Sequence, residues 1–363
     1  MGKIRIWAAG IVGLMVTLLC FGSVLFAQKH KVIVDQDARG PATTDIQSIL
    51  MFLQSPDVEV LGITTVTGDQ WVKEETLHAL RAVEIAGRTD VPVVMGAEYP
   101  LLNSKEESEW WEERFGQFGY KGAWTPRFYH PPEVVPELPE GKPTAKPLNE
   151  HAVSFIIRMV HKYPHEVTLW AGGPLTNIAL AIRMDPEIPL LAKELVLMGS
   201  GFNVGQGGIS GINGRREFNW WFDPEAVHIV MHAPWKKITI TPVDISIKTF
   251  LSEDVKARIA RSDTPVARYL TQFSRPSTMW DELSAAAFLD PGIITEQKEL
   301  HVDIDISHGA SYGQTIFVEK GTKVPEDWPV SIVQFGLNTE RFYRMYVDLM
   351  TRPARTASLP ASR

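Results

Sequence analysis

The feature that most constrains the fold is the alternation of short β-branched runs with amphipathic segments. In the first third of the chain, strands are predicted at residues 31–34, 58–66 and 91–94, and helices at 44–53 and 71–86. Parallel strands need a crossover connection, which is usually a helix, so this alternation is typical of a parallel sheet. We therefore predict an α/β fold with a mostly parallel, doubly wound sheet that is flanked by helices.

The same alternation resumes after residue 148. Helices are predicted at 150–161, 175–183, 224–231, within 252–289 and at 339–349, and strands at 166–170, 195–198, 238–240, 301–306, 313–318 and 330–334. No repeat or composition shift marks a second domain, so we predict one domain over residues 28–350. Residues 100–148 contain three tryptophans and a proline-rich run, and are predicted to form an insertion, either a lid or a solvated excursion.

The ends of the chain differ in composition from this domain. Lys3 and Arg5 precede an apolar run over residues 6–26, which is typical of a signal peptide or an N-terminal membrane anchor. Residues 1–27 therefore predict an exported protein, periplasmic or extracellular, with membrane association if the segment is retained. The single cysteine, Cys20, lies in this segment, so the exported domain has no disulfide. The polar residues 351–363 are predicted to be a disordered tail.

The charge balance argues against some classes of partner. The formal net charge is -7 and the sequence contains no long basic run, which disfavours nucleic acid or an anionic membrane surface as the main partner. A small-molecule substrate is easier to reconcile with this charge.

Three carboxylates crowd the junction between the first predicted strand and its helix. Asp35, Asp37 and Asp45 flank a Gly40-Pro41 pair that is typical of a turn, and Thr43 or Thr44 follows as a candidate helix cap. Open α/β sheets bind ligands at the carboxyl ends of their strands, and hard cations prefer several oxygen ligands. The cluster therefore predicts a Ca²⁺ or Mg²⁺ site, although an aspartate-rich turn with capping roles alone would use the same residues.

Three further motifs bring polar groups to strand ends or helix starts. They are AGGPLTN at 171–177, REFN at 216–219 followed by DPEA at 223–226, and MWDE at 279–282. With the aspartate cluster, these motifs resemble the calcium-dependent nucleoside hydrolase family, in the same order and from about residue 31 to residue 346. The resemblance implies a single-domain nucleoside hydrolase fold, hydrolysis of the N-glycosidic bond of nucleosides, and a homo-oligomer, either a dimer or a tetramer.

The resemblance also implies roles for individual residues. The Ca²⁺ ligands would be Asp37, Asp45, Asp281 and the backbone carbonyl of Gly172. The substrate-binding residues would be Glu217, Asn219, Asn213 and Thr44. Glu217 and Asn219 are spaced by two on a segment predicted to be extended, so we expect both to point to one side and contact sugar hydroxyls.

The chemistry of the reaction agrees with these roles. N-glycoside hydrolysis passes through an oxocarbenium-like transition state, so the site must activate water, stabilise a sugar cation and help the base depart. A bound cation lowers the pKa of water, and a nearby carboxylate accepts the proton that water loses. Asp37 is the candidate general base, and Asp35 is expected to orient it from behind.

The residues on the leaving-group side resemble the purine-preferring, inosine-adenosine-guanosine branch of the family. Trp280 stands immediately before Asp281, where many broad-specificity members have a histidine, and Asp69 stands where many have an asparagine. An aromatic ring stacked on a purine favours the protonated base, so Trp280 is predicted to assist its departure, with core packing as the alternative. Trp110 or Trp111 in the insertion would supply the opposite face of a sandwich, or would only anchor a lid.

The aspartate cluster is also where the sequence departs from the family pattern, DxDxGxDD. Seven residues separate Asp37 from Asp45, more than in the pattern, and Thr44 replaces a carboxylate that normally contacts the sugar 2′-hydroxyl. The longer loop carries Arg39, which is expected to be solvated or to favour an acidic substrate group. This departure favours one alternative, a hydrolase of a related N-glycoside with a different sugar. A second alternative, of another class, is a non-catalytic exported nucleoside-binding protein with the same fold.

Overall fold

A computed structural model describes residues 29–202 and 216–353 of the chain. The strands are β1 (His30–Gln36), β2 (Val58–Thr65), β3 (Val93–Met95), β4 (Val167–Ala171), β5 (Glu194–Met198), β6 (Ile238–Thr241), β7 (Ile294–Ile304), β8 (Thr315–Glu319) and β9 (Val330–Leu337). They form one nine-stranded sheet in the order β3-β2-β1-β4-β5-β6-β9-β7-β8. Neighbours from β3 to β9 are parallel, whereas β7 pairs antiparallel with both β9 and β8. The predicted α/β fold with a mostly parallel sheet is confirmed.

Helices cover both faces of this sheet. Within the described residues they are α1 (Thr44–Gln54), α2 (Val72–Ile85), α3 (Lys105–Phe115), α4 (Ala152–Lys162), α5 (Thr176–Met184), α6 (Ile188–Leu191), α7 (Phe218–Phe222), α8 (Pro224–Met231), α9 (Val243–Ser246), α10 (Glu253–Ile259), α11 (Pro265–Phe273), α12 (Trp280–Leu289) and α13 (Thr339–Thr351). Alternate residues of β1 point to opposite faces. Val32 and Val34 join a core with α1, α2, α12 and α13, while Ile33 joins one with α4, α5 and α8.

Helix α1 begins shortly after β1 ends and packs into the core through its apolar face. Its apolar face is fully buried, as the sequence spacing predicts, and consists of Ile46, Ile49, Leu50 and Leu53. Each such side chain contributes about 1.5–3 kcal/mol relative to an exposed one. The predicted turn at Gly40-Pro41 is present with a cis peptide bond, and Thr43 occupies the N-cap position. No helix N–H bonds to the Thr43 side chain, however; its hydroxyl instead lies 2.7 Å from Asp45 Oδ2.

Two elements differ from the sequence-based expectation. The insertion at residues 100–148 contains α3, whose sequence KEESEWWEERF has too few apolar residues to show a clear helical stripe. Strand β7 begins at Ile294 rather than near residue 301, because residues 295–299 are exposed and polar and so lack the apolar alternation of a half-buried strand.

Several predictions fall outside the described residues. They concern the signal or anchor at residues 1–27, the candidate Asn213, and the tail from residue 354 onward. Across residues 29–202 and 216–353, no helix is both long enough and apolar enough to cross a membrane.

Candidate active site

A cavity of about 580 Å³ opens at the carboxyl ends of the central strands. Its lining includes Arg39 after β1, Gly172 after β4 and Met198 at the end of β5. The strand order reverses between β1 and β4, which is the point where open α/β sheets bind ligands. The cavity brings together eight of the predicted site residues, namely Thr44, Asp45, Asp69, Gly172, Glu217, Asn219, Trp280 and Asp281.

Three buried carboxylates lie at this cavity or directly behind it. Asp45 and Asp281 line the cavity, whereas Asp37 does not line it but accepts a hydrogen bond from the backbone N–H of Asp69, which does. Asp37, Asp45 and Asp281 are each at most 3% exposed. Burial, followed by repulsion from neighbouring carboxylates, raises the pKa of Asp37 and of Asp45 well above the usual value, and raises the pKa of Asp281 to about 7. Such an accumulation of buried negative charge is costly without a compensating cation.

Two oxygens of these three aspartates have no well-aligned hydrogen-bond donor among the described residues. They are Asp37 Oδ1 and Asp281 Oδ1, and both are buried. Gly172 and Gly173 allow the backbone to approach these oxygens closely, since a Cβ on Gly172 would lie 2.7 Å from Asp281 Oδ1 and one on Gly173 would lie 2.8 Å from Asp37 Oδ1. Unpartnered anionic oxygens next to glycines fit the requirements of a hard cation.

The donor set bears on the kind of cation. Among the described residues, Asp37, Asp45 and Asp281 do not form one of the groups whose ligand atoms all lie within 4.8 Å of one another. Their side-chain donors are all oxygens, which calcium and magnesium prefer.

Glu217 is held at a helix start rather than on an extended segment, so that part of the prediction is wrong. It caps α7 and accepts hydrogen bonds from the N–H groups of Asn219 at 2.9 Å, Trp220 at 3.2 Å and Ser200 at 3.0 Å. Burial raises the pKa of Glu217 to about 7 in spite of these donors. The short run EFN gives no helical periodicity from which α7 could be predicted.

Asn219 contacts one of the predicted metal ligands directly. Its Nδ2 donates to the carbonyl oxygen of Gly172 at 2.7 Å. A carbonyl oxygen has two lone pairs, so this bond leaves one for another partner. Asn219 therefore orients the Gly172 carbonyl while lying at the cavity wall.

The side chain of Thr44 makes hydrogen bonds to the first turn of α12. Its hydroxyl lies 2.6 Å from Glu282 Oε2 and 2.9 Å from Asp281 Oδ2, and it accepts the Asp281 N–H at 2.9 Å. The hydroxyl thus ties the start of α1 to the start of α12. Glu282 is fully buried and was not singled out from the sequence, although it belongs to the MWDE motif.

Trp280 opens α12 and is partly exposed at the cavity wall. This position argues against the alternative that Trp280 is a plain core residue. Asp69 also lines the cavity, and its backbone N–H donates to Asp37 Oδ2 at 2.9 Å. This bond orients the predicted base from the loop after β2.

Neither Trp110 nor Trp111 lines the cavity. Trp110 is 45% exposed and stacks with Arg114, while Trp111 is buried and donates from Nε1 to the Gly309 carbonyl at 2.9 Å. The expectation that one of them contacts the substrate base therefore lacks support, and the alternative that Trp111 anchors the insertion agrees with its contacts. The insertion instead brings Tyr120 to the cavity.

Tyr120 and Arg39 form one edge of the cavity together. Arg39 Nη1 donates to the Tyr120 hydroxyl at 2.8 Å and lies 3.9 Å from Asp69 Oδ2. The Arg39 guanidinium also lies over the Phe128 ring at 5.0 Å. Arg39 is thus packed against the insertion rather than solvated, and Tyr120 was missed because its loop has no recognisable motif.

Asp35 lies behind the cavity. Its Oδ1 accepts hydrogen bonds from Thr64 at 2.5 Å and from Asn177 Nδ2 at 2.8 Å. These bonds tie β1 to β2 and to the GPLTN turn. Asp35 thus fixes the strand that carries Asp37, without a direct bond to the Asp37 carboxylate in this structure.

The chain is similar in sequence and in fold to known proteins. The model of the inosine-uridine preferring nucleoside hydrolase family matches residues 32–344. The chain is 29% identical to the inosine-uridine preferring nucleoside hydrolase of Crithidia fasciculata over 337 residues, which cover 89% of this chain and 98% of that protein. A solved plant nucleoside hydrolase is 25% identical, with a TM-score of 0.73, and the match covers 90% of this chain and 100% of the other. A purine-preferring ribonucleoside hydrolase from Gardnerella vaginalis is 22% identical, with a TM-score of 0.70, and the match covers 88% of this chain and 98% of the other. A likeness at this identity shows the fold.

Proposed function

This chain belongs to the inosine-uridine preferring nucleoside hydrolase family and hydrolyses the N-glycosidic bond of ribonucleosides, and we propose that it prefers purine ribonucleosides and uses Ca²⁺. The single observation that carries the purine preference is Trp280, a partly exposed aromatic side chain at the cavity wall beside Asp281. A flat purine stacks on such a ring more fully than a pyrimidine does.

The calcium proposal rests on the buried carboxylates at the cavity and directly behind it. Asp37, Asp45, Asp281 and the Gly172 carbonyl would hold the ion, and two of these carboxylates have an unpartnered buried oxygen. When bound there, the cation lowers the pKa of water in contact with it. The all-oxygen donor set suits calcium better than a metal that prefers nitrogen or sulfur.

The remaining steps, proton transfer, sugar binding and stacking on the base, would be carried out by side chains of the protein. Asp37 accepts the proton of the attacking water at Oδ1, which has no hydrogen-bond donor among the described residues. Its other oxygen, Oδ2, is held by the Asp69 N–H and keeps the carboxylate oriented. Glu217 and Asn219 at the cavity wall contact the sugar hydroxyls, and Trp280 stacks on the base as its charge changes.

The test is base release from a panel of nucleosides in the presence of Ca²⁺. We expect higher kcat/KM for inosine, adenosine and guanosine than for uridine and cytidine. Equal or higher kcat/KM for uridine would refute the purine preference while leaving the family assignment intact. The Crithidia fasciculata relative, which is named for both inosine and uridine, makes uridine the most informative comparison.

A second candidate, a hydrolase of N-glycosides with a different sugar, is favoured by one contact. The Thr44 hydroxyl is engaged by Asp281 and Glu282, so it is a poor partner for a sugar 2′-hydroxyl. Comparison of inosine with 2′-deoxyinosine separates the two candidates. Loss of at least tenfold in kcat/KM for the deoxynucleoside supports the ribonucleoside preference, and similar values support a relaxed sugar requirement.

Three further features remain proposals from the sequence. Residues 1–27 support export, with cleavage or membrane anchoring distinguished by the N-terminal sequence of the mature protein. The family resemblance supports a homo-oligomer, which light scattering tests directly. Residues 100–148 are proposed to act as a lid because Tyr120 reaches the cavity.

A further inference from the structure

We propose a second metal site, for Zn²⁺, formed by His228, His232 and Asp303. All three side chains lie outside the cavity lining described above. His228 lies on α8 and His232 directly follows that helix, while Asp303 lies on β7. The spacing of four residues places both imidazoles on one face of the helix, which is the face turned toward β7.

The distances suit a first-row metal ion. His228 Nδ1 lies 3.0 Å from Asp303 Oδ1, and His232 Nε2 lies 3.1 Å from Asp303 Oδ2. Zinc binds nitrogen and oxygen at about 2.0–2.2 Å, so neighbouring ligands of a tetrahedral zinc lie roughly 3.3–3.5 Å apart. A small outward movement of the three groups would therefore admit the ion. The ligand atoms of the three residues all lie within 4.8 Å of one another.

A fourth residue already orients one of the imidazoles. His232 Nδ1 lies 2.8 Å from Asp327 Oδ2, which leaves Nε2 facing Asp303. Metal-binding histidines usually donate their other ring N–H to a carboxylate in this way, and the contact fixes the tautomer. The arrangement thus has both the ligands and an outer carboxylate.

The simpler explanation is an ion-pair cluster that fastens α8 to the sheet. In such a cluster each imidazole could pair with its own carboxylate, as His232 does with Asp327, whereas here both rings also converge on Asp303, with their centroids 4.2 Å apart. Asp303 is buried, but the His228 side chain is 35% exposed, so solvent reaches the group from one side. An open side of this kind is where a water molecule completes the coordination of zinc. Imidazole is a poor ligand for calcium, which separates this site from the carboxylates of the cavity.

The chain offers a matched control cluster. His161, Asp185 and Glu187 also lie close together, but this group has only one imidazole and all three residues are at least partly exposed. His161 Nε2 lies 2.5 Å from Asp185 Oδ2, as in an ordinary surface ion pair. A His161→Ala variant therefore removes an exposed histidine with a carboxylate partner and leaves the proposed zinc site intact.

The experiment is a calorimetric titration of the full chain, without an affinity tag, with Zn²⁺ in saturating Ca²⁺. We expect one zinc ion per chain, an affinity lowered at least tenfold in His228→Ala and in His232→Ala, and no change in His161→Ala. Absence of zinc binding, or equal affinity in all four proteins, would overturn the proposal. Zinc should also raise the Tm of the wild type, because it binds only the folded arrangement of α8 and β7.

A fifth protein guards against a folding defect in the alanine variants. Asp327 is 62% exposed, so Asp327→Asn should fold as the wild type does and keep full inosine hydrolysis. We expect this variant to bind zinc about tenfold more weakly, because it weakens the contact that orients His232. If the alanine variants have lost their native circular dichroism spectrum, an unchanged zinc affinity in Asp327→Asn would count against the site.

Discussion

Truncation of Trp280 tests the substrate preference most sharply. The side chain opens α12 and is partly exposed at the cavity wall, so Trp280→Ala removes a binding surface without emptying a fully buried core position. Stacking of a base on an aromatic side chain contributes about 1–3 kcal/mol by alanine substitution. At about 1.36 kcal/mol for each tenfold change, kcat/KM for inosine should fall roughly 5- to 150-fold.

The same variant should discriminate between bases. A pyrimidine covers about half of the ring area that a purine covers, so its stacking loss should be about 0.5–1.5 kcal/mol, and the ratio of kcat/KM for inosine to that for uridine should fall roughly 2- to 12-fold. Trp110→Ala is the matched control, because Trp110 is an exposed tryptophan that does not line the cavity. The assay follows base release under steady-state conditions. An unchanged ratio in Trp280→Ala, or an equal change in Trp110→Ala, would refute the reasoning.

Three other predictions concern the surroundings of the cavity. Gly172→Ala should weaken calcium binding measured by calorimetry, because the new Cβ would lie 2.6 Å from Gln36 Oε1 and 2.7 Å from Asp281 Oδ1. Gly309→Ala is the control and should leave calcium binding unchanged, because its Cβ would lie no closer than 4.0 Å to its nearest neighbour, Ser307 Oγ. Thr44→Val should lower the free energy of unfolding in urea by about 1–3 kcal/mol, because it leaves the buried Asp281 N–H and a buried carboxylate without a partner; an unchanged value would contradict these contacts. Burial raises the pKa of Asp223 to about 7 in the folded protein. The unfolded chain releases this proton near pH 4, so the free energy of unfolding that Asp223 contributes falls as the pH rises from about 4 to about 7. Asp223→Asn should flatten that fall, and an equally steep profile in the variant would contradict it.

Much of the fold could be predicted because local sequence and burial agree. Residues 31–34 and 224–231 read as a strand and a helix, since one is a β-branched run and the other begins with an Asp-Pro start signal, and the structure has β1 and α8 there. The parallel sheet followed from the alternation of such segments. Because carboxyl ends of parallel strands meet at one edge, motifs far apart in sequence, such as Asp45 and Asp281, could be expected at one cavity.

The parts that were missed depend on tertiary packing. Strand β7 and helix α3 carry polar, exposed residues, so nothing in their local periodicity distinguishes them from loops. Tyr120 reaches the cavity because its insertion packs on the rest of the chain through an aromatic cluster, which includes Phe118, Trp124, Trp221 and Phe222. The aromatic residues are visible in the sequence, but the sequence does not predict which surface of the domain the insertion packs against.

The same limit applies to the tryptophans. Any exposed tryptophan side chain can stack on a base, so chemistry alone does not distinguish Trp110, Trp111 and Trp280. Only their positions in the fold do. Trp280 lies beside Asp281 at the start of a helix and lines the cavity, whereas Trp110 and Trp111 lie on α3 and do not line it. Residues attached to a strand end or helix start could therefore be assigned, and residues of the insertion could not.

The calcium dependence of inosine hydrolysis tests the central claim most directly. Protein treated with a chelator should release no base, and titration with Ca²⁺ should restore the rate, because the buried Asp37, Asp45 and Asp281 lack a counter-charge without the ion. In Asp281→Asn the calcium concentration at half-maximal rate should rise at least tenfold, since an anionic ligand is lost. A chelated protein that hydrolyses inosine at the full rate would contradict the account.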